Sequence, residues 1–248
     1  FIPVHGTLPA VQKVGGRVAP GIDTIRGGSE GRGKGLVQVA AESGGCWLVD
    51  AVTVRDLTPL AALLEAPRLT KVLHDAPQDL MILRRATGAY PRQVYDTRCA
   101  AALAGLGSTT SLAELVDTTV DVQLAKTESR TNWVQRPLSP EQVQSAVEDV
   151  CYLHAVRQQL RQRVEALGRS DWLEQELAGL ADPGLYQERD PQTQYQRLKG
   201  AGALSRRELA VLRELAAWRE EEARRRDRPR RRVVEDHVLL ELARRQPR

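Results

Sequence analysis

Cysteine is scarce in this sequence of 248 residues: Cys46, Cys99 and Cys151 are the only three, and their spacing suits neither a zinc site nor a disulfide framework. They read as small buried hydrophobes. A run of about 18 apolar residues, the length a membrane helix needs, is absent. The opening residues Phe1-Ile2-Pro3-Val4-His5-Gly6 lack a charged region followed by an apolar one. The expectation is a cytoplasmic protein with no membrane partner. Neither sign of charge dominates, since 36 basic residues against 32 acidic ones leave a net charge of +4. Bulk charge is therefore a weak argument for nucleic acid. Aromatics make up only 4% of the chain, so Trp47, Trp133, Trp172 and Trp218 are expected in packing roles.

What is present is 42% hydrophobic residues, enough for one full domain and a smaller second one. Positive charge is concentrated late in the chain: between Ser205 and Arg232 there are eleven arginines and six acids. Such a block either releases counterions from phosphates or forms a solvated helix face, and composition leaves both open.

Periodicity supplies the elements. Leu36–Ala40 and Cys46–Asp50 read as a hairpin around the turn Glu42-Ser43-Gly44-Gly45. A helix is expected over 57–64, closed by Pro67, then a strand over 71–74 and a helix over 76–86. Val94–Thr97 leads into an alanine-rich helix ending near Leu106. Ser111 with Glu114 forms a capping box for the next helix, and Ser139 with Pro140 starts one running to about Val164. Strands and helices in alternation after a hairpin imply an α/β fold, a mixed sheet with helices on both faces. Asp182-Pro183-Gly184, Asp190-Pro191 and Gly200-Ala201-Gly202 break the pattern. Three parts are therefore expected: a domain over 1–170, a linker over 171–204 and a small all-α region over 205–248 with helices from Ser205 and over 235–244.

A two-metal phosphodiesterase needs carboxylates converging on metals about 3.5–4 Å apart. Three aspartates have distinctive contexts: Asp23 in Gly21-Ile22-Asp23-Thr24, Asp79 in His74-Asp75-Ala76-Pro77-Gln78-Asp79-Leu80, and Asp149 in Val147-Glu148-Asp149-Val150-Cys151-Tyr152. In this order the segments resemble the three exonuclease motifs of the ribonuclease D family, in the DEDD superfamily. Lys126-Thr127-Glu128-Ser129-Arg130-Thr131-Asn132-Trp133, followed by Arg136-Pro137-Leu138-Ser139, is similar to that family as well, and the resemblance runs from about Leu36 to the end. Leu198-Lys199-Gly200 and the segment Leu209–Glu220 resemble the opening of the helicase-and-RNase-D C-terminal (HRDC) domain.

The resemblance implies a ribonuclease H-like exonuclease domain followed by a partial HRDC domain. It implies a 3'-5' exoribonuclease trimming single-stranded or overhanging RNA 3' ends. Asp23, Asp79 and Asp149 would hold magnesium or manganese, both suited to hard oxygen ligands. His74, Gln78, Lys126, Arg130, Arg136, Arg224, Arg225 and Arg228 would meet the nucleic acid. Simpler readings stand beside these: a neutral core histidine at His74, helix caps at Asp75 and Asp96, an exposed polar side chain at Gln78. The alternative for Asp96 is support of the metal site from behind its ligands.

Two positions depart from the family pattern. The first motif pairs its aspartate with a glutamate two residues on, where this chain has Ile25, which cannot ligate a metal. Glu30 would reach the site only by a loop rearrangement. The third motif places a tyrosine four residues before its aspartate, and here stands Ser145, whose shorter hydroxyl acts only through a water. A catalytically weak or inactive nucleic-acid-binding module on the same fold is the rival expectation.

Overall fold

The computed structural model describes residues 11–14, 21–26, 34–41, 45–54, 56–124, 131–186, 190–226 and 229–246, with the backbone alone at 11–14, 21–26 and 34. The chain divides into two compact units, the first reaching Tyr186 and the second taking in 187–248.

In the first unit, β1 (Val11–Val14), β2 (Gly21–Arg26), β3 (Lys34–Ala40) and β4 (Cys46–Val49) form an antiparallel sheet in the order β1-β4-β3-β2. A 3-10 turn over Thr58–Leu60 leads into α1 (Ala61–Glu65), so the helix expected over 57–64 is half as long as its pattern suggests. Next come β5 (Lys71–Leu73), α2 (Ala76–Thr87), β6 (Val94–Asp96), α3 (Thr97–Leu103) and α4 (Leu112–Val120). β5 and β6 pair in parallel, and β5 runs beside β2. Antiparallel and parallel pairings are thus both present, in two small sheets accompanied by helices, in place of the single mixed sheet of the expected α/β fold.

Alternation along β3 sorts the two faces of the sheet. Leu36 and Ala40, with Cys46 and Leu48 of β4, enter one core, where they meet Val143, Ala146 and Val150 of α5 (Pro140–Cys151). Val37 and Val49 enter the other, with Leu64 of α1 and Leu80 and Leu83 of α2. Helices thus cover both faces of the antiparallel sheet.

Both expected caps are present. Ser111 accepts from the Glu114 backbone while Glu114 accepts from the Ser111 backbone, and Ser139 and Gln142 form the same box at α5. The helix expected to run on to Val164 divides at Tyr152 into α5 and α6 (Leu153–Ala166). The division separates two packing tasks, since α5 lies on β2, β3 and β4 while α6 lies against α3 and α4.

The expected linker over 171–204 is not one. α7 (Ser170–Ala178) sends Leu173 and Leu177 into the first core, and Tyr186 joins the second. Leu198, Ala201 and Leu204 belong to the other unit, where they pack with Leu212 and Ala216 of α8 (Arg206–Arg225) and with Leu239, Leu240 and Ala243 of α10 (Asp236–Arg245). The short α9 (Arg230–Val233) lies between those helices. The missed segment consists largely of 3-10 turns, which bury apolar residues without the period of a helix or strand. Of the four tryptophans, Trp133 is buried and Trp47 half-buried, but Trp172 and Trp218 are 58% and 47% exposed, which corrects the packing role expected of them. Among the described residues no helix is long and apolar enough to cross a membrane.

Candidate active site

Asp79 stands in the first turn of α2 and Asp149 in the last turn of α5, elements that lie on opposite faces of the sheet core yet both reach the β2 edge. Both side chains are half-buried. Burial pushes the Asp149 carboxyl up to about 6, and the charges of Glu148 and then Asp79 add to the shift. Carboxylates so placed disfavour one another's charge, and a cation between them would relieve that. Asp23 lies on β2 directly opposite Gln38 of β3, and Ile25 opposite Leu36, just before a register shift. Among the described side chains no three acids, histidines or cysteines are grouped to hold a metal ion. The third expected ligand, Asp23, has a side chain outside the described set, as does Glu30 entirely. Two crowded hard-oxygen donors fit magnesium or manganese.

Asp79 is positioned by a residue that the sequence offered two roles. Asp96, almost fully buried at the end of β6, accepts from Asp75 N at 3.1 Å, Ala76 N at 2.9 Å and Arg98 N at 2.8 Å. One carboxylate thereby caps both α2 and α3, satisfying N–H groups a helix start leaves open. Asp75, expected as the cap of α2, occupies the N-cap position in a left-handed conformation but makes no capping bond. Its carboxylate instead takes Arg98 Nη1 at 2.6 Å, because Asp96 already fills the capping role.

Several expected nucleic-acid contacts have protein partners. His74 Nδ1 lies 2.9 Å from Thr97 Oγ1, which donates to Leu73 O. Burial first, and the Arg98 charge, hold the imidazole below its ordinary value against the opposing pull of Asp96. His74 is thus a neutral, tethered histidine, the simpler of its two readings. Arg136 is corrected more firmly. Its Nε and Nη2 donate to Asp50 Oδ2 and Oδ1 at 2.8 and 2.5 Å, Nη2 donates to Gly35 O, and Nη1 donates to Trp133 O and Gln135 O. A fork so engaged is a clamp rather than a phosphate contact. It ties the segment leading into α5 to the sheet at β3 and β4.

That clamp has a measurable weight. Asp50 is 2% exposed; burial alone would raise its carboxyl, but hydrogen bonds from Arg136, Thr53 and Val52 hold it down at about 2. Arg136→Ala is expected to cost about 3–5 kcal/mol in urea unfolding, because it strands a buried carboxylate. The pair's contribution should be complete above pH ~4, the unfolded-state range, and fade as pH falls toward 2. A loss under about 1 kcal/mol would show that the clamp is dispensable.

Gln78 is exposed one residue before Asp79, whereas Ser145 is buried at 6% exposure one turn before Asp149. Lys126, Arg130 and Arg228 lie outside the described residues. Arg224 and Arg225 are exposed in the last turn of α8, where Arg225 grips Glu222 at 2.6 and 2.7 Å. Arg226 shares that glutamate, Arg230 meets Glu220, and Arg231 meets Asp236. The arginine block is thus laced with acids. Exposed arginines such as Arg225 and Arg231 are paired weakly enough for a phosphate to compete, whereas Arg230 meets a buried glutamate.

Two residues near the site escaped attention in the sequence. Glu148 contributes the largest neighbouring charge on Asp149. Gln38 is a polar residue at an inward position of β3, between Leu36 and Ala40, and the alternation of that strand was the available signal.

A family model described as 3'-5' exonuclease matches residues 26–165, and an HRDC domain model matches 208–248. Asp23 precedes the first match. A ribonuclease D of Desulfotalea psychrophila is 41% identical over 213 residues, 86% of this chain and 57% of that protein. The chain thus spans little more than half the length of this curated relative. The structure of Escherichia coli RNase D, an exoribonuclease involved in structured RNA processing, superposes with a TM-score of 0.82 at 31% identity, over 93% of this chain and 62% of that one. Brucella melitensis NrnC with bound Mg2+ gives 0.59 at 28% identity, over 66% and 82%.

Proposed function

Because this chain belongs to the 3'-5' exonuclease family, as a member of the ribonuclease D type, we propose that it trims RNA 3' ends by metal-assisted hydrolysis, releasing nucleoside monophosphates. The observation that carries this reading is that Asp79 and Asp149, from different motifs, lie near enough for the charge of Asp79 to help raise the Asp149 carboxyl. Asp23, Asp79 and Asp149 would hold magnesium or manganese, which when bound supplies Lewis acidity at the scissile phosphodiester. Asp96 fixes the helix start that presents Asp79. Ser145, one turn before Asp149, offers a hydroxyl that acts through an intervening water. Gln78, Lys126 and Arg130 would line the path of a single strand on the first unit, and Arg224, Arg225 and Arg228 of the second unit would meet RNA phosphates, while His74 and Arg136 are held by protein partners.

A weak or inactive RNA-binding module is the second reading, favoured by Ile25 where a ligand is expected. The engagement of Arg136 with the buried Asp50 removes part of the cationic surface such a module would use.

A 5'-labelled RNA duplex with a single-stranded 3' tail, incubated with Mn2+, separates them. The nuclease reading expects a ladder shortening from the 3' end, with monophosphate products and no cut in a strand blocked by a 3'-phosphate. Internal or 5' cleavage would sink it. Salt-sensitive binding without products would favour the module.

A further inference from the structure

Tyr90 follows the C-terminal end of α2 and is 41% exposed. Arg84, in the last turn of that helix, lays its guanidinium over the ring, with Cζ 4.0 Å from the centroid. Tyr186 meets the same ring edge-on, the centroids 6.3 Å apart and the planes at 73°. Gly88, left-handed at the C-cap, turns the chain so that Tyr90 comes back to Arg84. The Tyr90 N–H then donates to Glu65 Oε1 at 3.1 Å, which pins the backbone there. Among the described residues neither Arg84 nor the exposed Arg92 is paired with a carboxylate, whereas in α8 Arg225 and Arg226 share Glu222. A guanidinium already stacked on a ring offers a flat face to a nucleobase and N–H groups at its edge to a phosphate, with little rotamer freedom left to lose.

We propose that Arg84 and Tyr90 form a stacking platform for single-stranded RNA, taking a nucleobase upstream of the 3' end that Asp79 and Asp149 receive. Position supports this as well as charge. The platform closes the helix that carries Asp79 in its first turn. From Asp79 to Gly88 the helix rises about 14 Å, about four steps of a stacked strand at roughly 3.4 Å each. Gln78, Met81 and Arg85 lie exposed between the two, on one stripe of α2. Arg84, Arg85 and Arg92 gather at the far end against the carboxylate of Glu65, so a polyanion suits the surface better than an acidic or apolar protein segment does. The direction of the strand rests on the nuclease reading of the site. The platform adds to that reading a minimum length, about four nucleotides, below which RNA binds poorly.

The test uses the full chain and 5'-fluorescein oligoadenylates of three and ten nucleotides, bound in EDTA and followed by anisotropy. Tyr90→Ala is expected to weaken binding of the ten-nucleotide strand roughly tenfold, the loss typical of one base–aromatic stack. Tyr90→Phe keeps the ring and should bind like the parent. The three-nucleotide strand, too short to reach the platform, should bind the parent and both variants alike. Arg84→Gln should weaken the longer strand and reduce the slope of log affinity against log salt by about one. A loss below about twofold for the longer strand, or equal losses for both lengths, would overturn the proposal, and the first of these results would leave the surface to a protein partner. Should Tyr90→Ala melt well below the parent, the salt slope of Arg84→Gln decides instead, and an unchanged slope overturns the platform. Trimming of the longer strand in Mn2+ is scored separately. A parent that binds RNA without trimming it sinks the nuclease reading and leaves the platform to be judged on binding, whereas a parent that binds no RNA sinks the platform.

Discussion

Asp149→Asn is expected to lower the rate of 3'-end trimming by at least about a thousandfold, equivalent to some 4 kcal/mol of transition-state stabilisation. The substitution keeps the shape of the side chain and removes one of the two described carboxylates proposed to hold the metal. A metal's several kcal/mol of charge stabilisation depend on a full ligand set, and small misplacements of an attacking group are costly. A second effect should run the other way. Because the folded-state Asp149 carboxyl is raised to about 6, its stabilising contribution is present below the unfolded value near 4 and is lost as pH rises through about 6. At pH 7 in EDTA the parent therefore carries an unfavourable half-buried charge that the asparagine variant lacks. After allowance for solvent screening, the variant should be more stable by about 1–2 kcal/mol. The gap should close near pH 4, and Mn2+ should close it at pH 7 by stabilising the parent alone. Trimming rates within tenfold of each other would remove Asp149 from the site and point to a contaminating nuclease.

That a functional carboxylate destabilises the protein that carries it is a common pattern, and it explains which parts of this molecule were legible in the sequence. Elements fixed by local chemistry were. The Ser111–Glu114 and Ser139 caps, the hairpin of β3 and β4, and the short buried strands β5 and β6 follow from patterns a few residues long. The aspartates stood out only through their contexts, because an acid in a sequence carries no sign of what it will face. Long-range partners were invisible for the same reason. Arg136 read as a free cation beside the strand path, but its partner Asp50 is 86 positions away. Asp96 caps its own helix as expected and also takes the duty expected of Asp75, 21 positions away, by capping the helix that Asp75 precedes. The segment over 171–204 failed on different grounds. Its apolar residues are buried by turns, so no period announces them, and Pro and Gly read as a break where the chain in fact packs on both units.

Ile25→Glu is expected to raise trimming activity in Mn2+ by about a hundredfold or more, the reverse of losing a ligand from a metal site. Residue 25 lies two positions after Asp23 on β2, and strand residues two apart share a face. A glutamate there adds the hard oxygen donor that the family pattern calls for. Its cost is a new carboxylate beside existing ones, so the melting temperature in EDTA should fall and recover with Mn2+. The second departure is not equivalent. Ser145 is 6% exposed on the face of α5 whose neighbours Ala146 and Val150 pack against the sheet. Enlarging it to tyrosine is expected to cost about 1–3 kcal/mol by overpacking, with a rate gain that stays below about tenfold where orientation of one water is all that is added. The two restorations therefore separate in a single assay, Ile25→Glu acting on rate and metal demand and Ser145→Tyr acting mainly on stability. If Ile25→Glu folds and binds Mn2+ no better than the parent, residue 23 does not occupy the first-motif position. The metal ligand set would then have to be sought elsewhere, beginning with Glu148, whose charge helps to raise the Asp149 carboxyl.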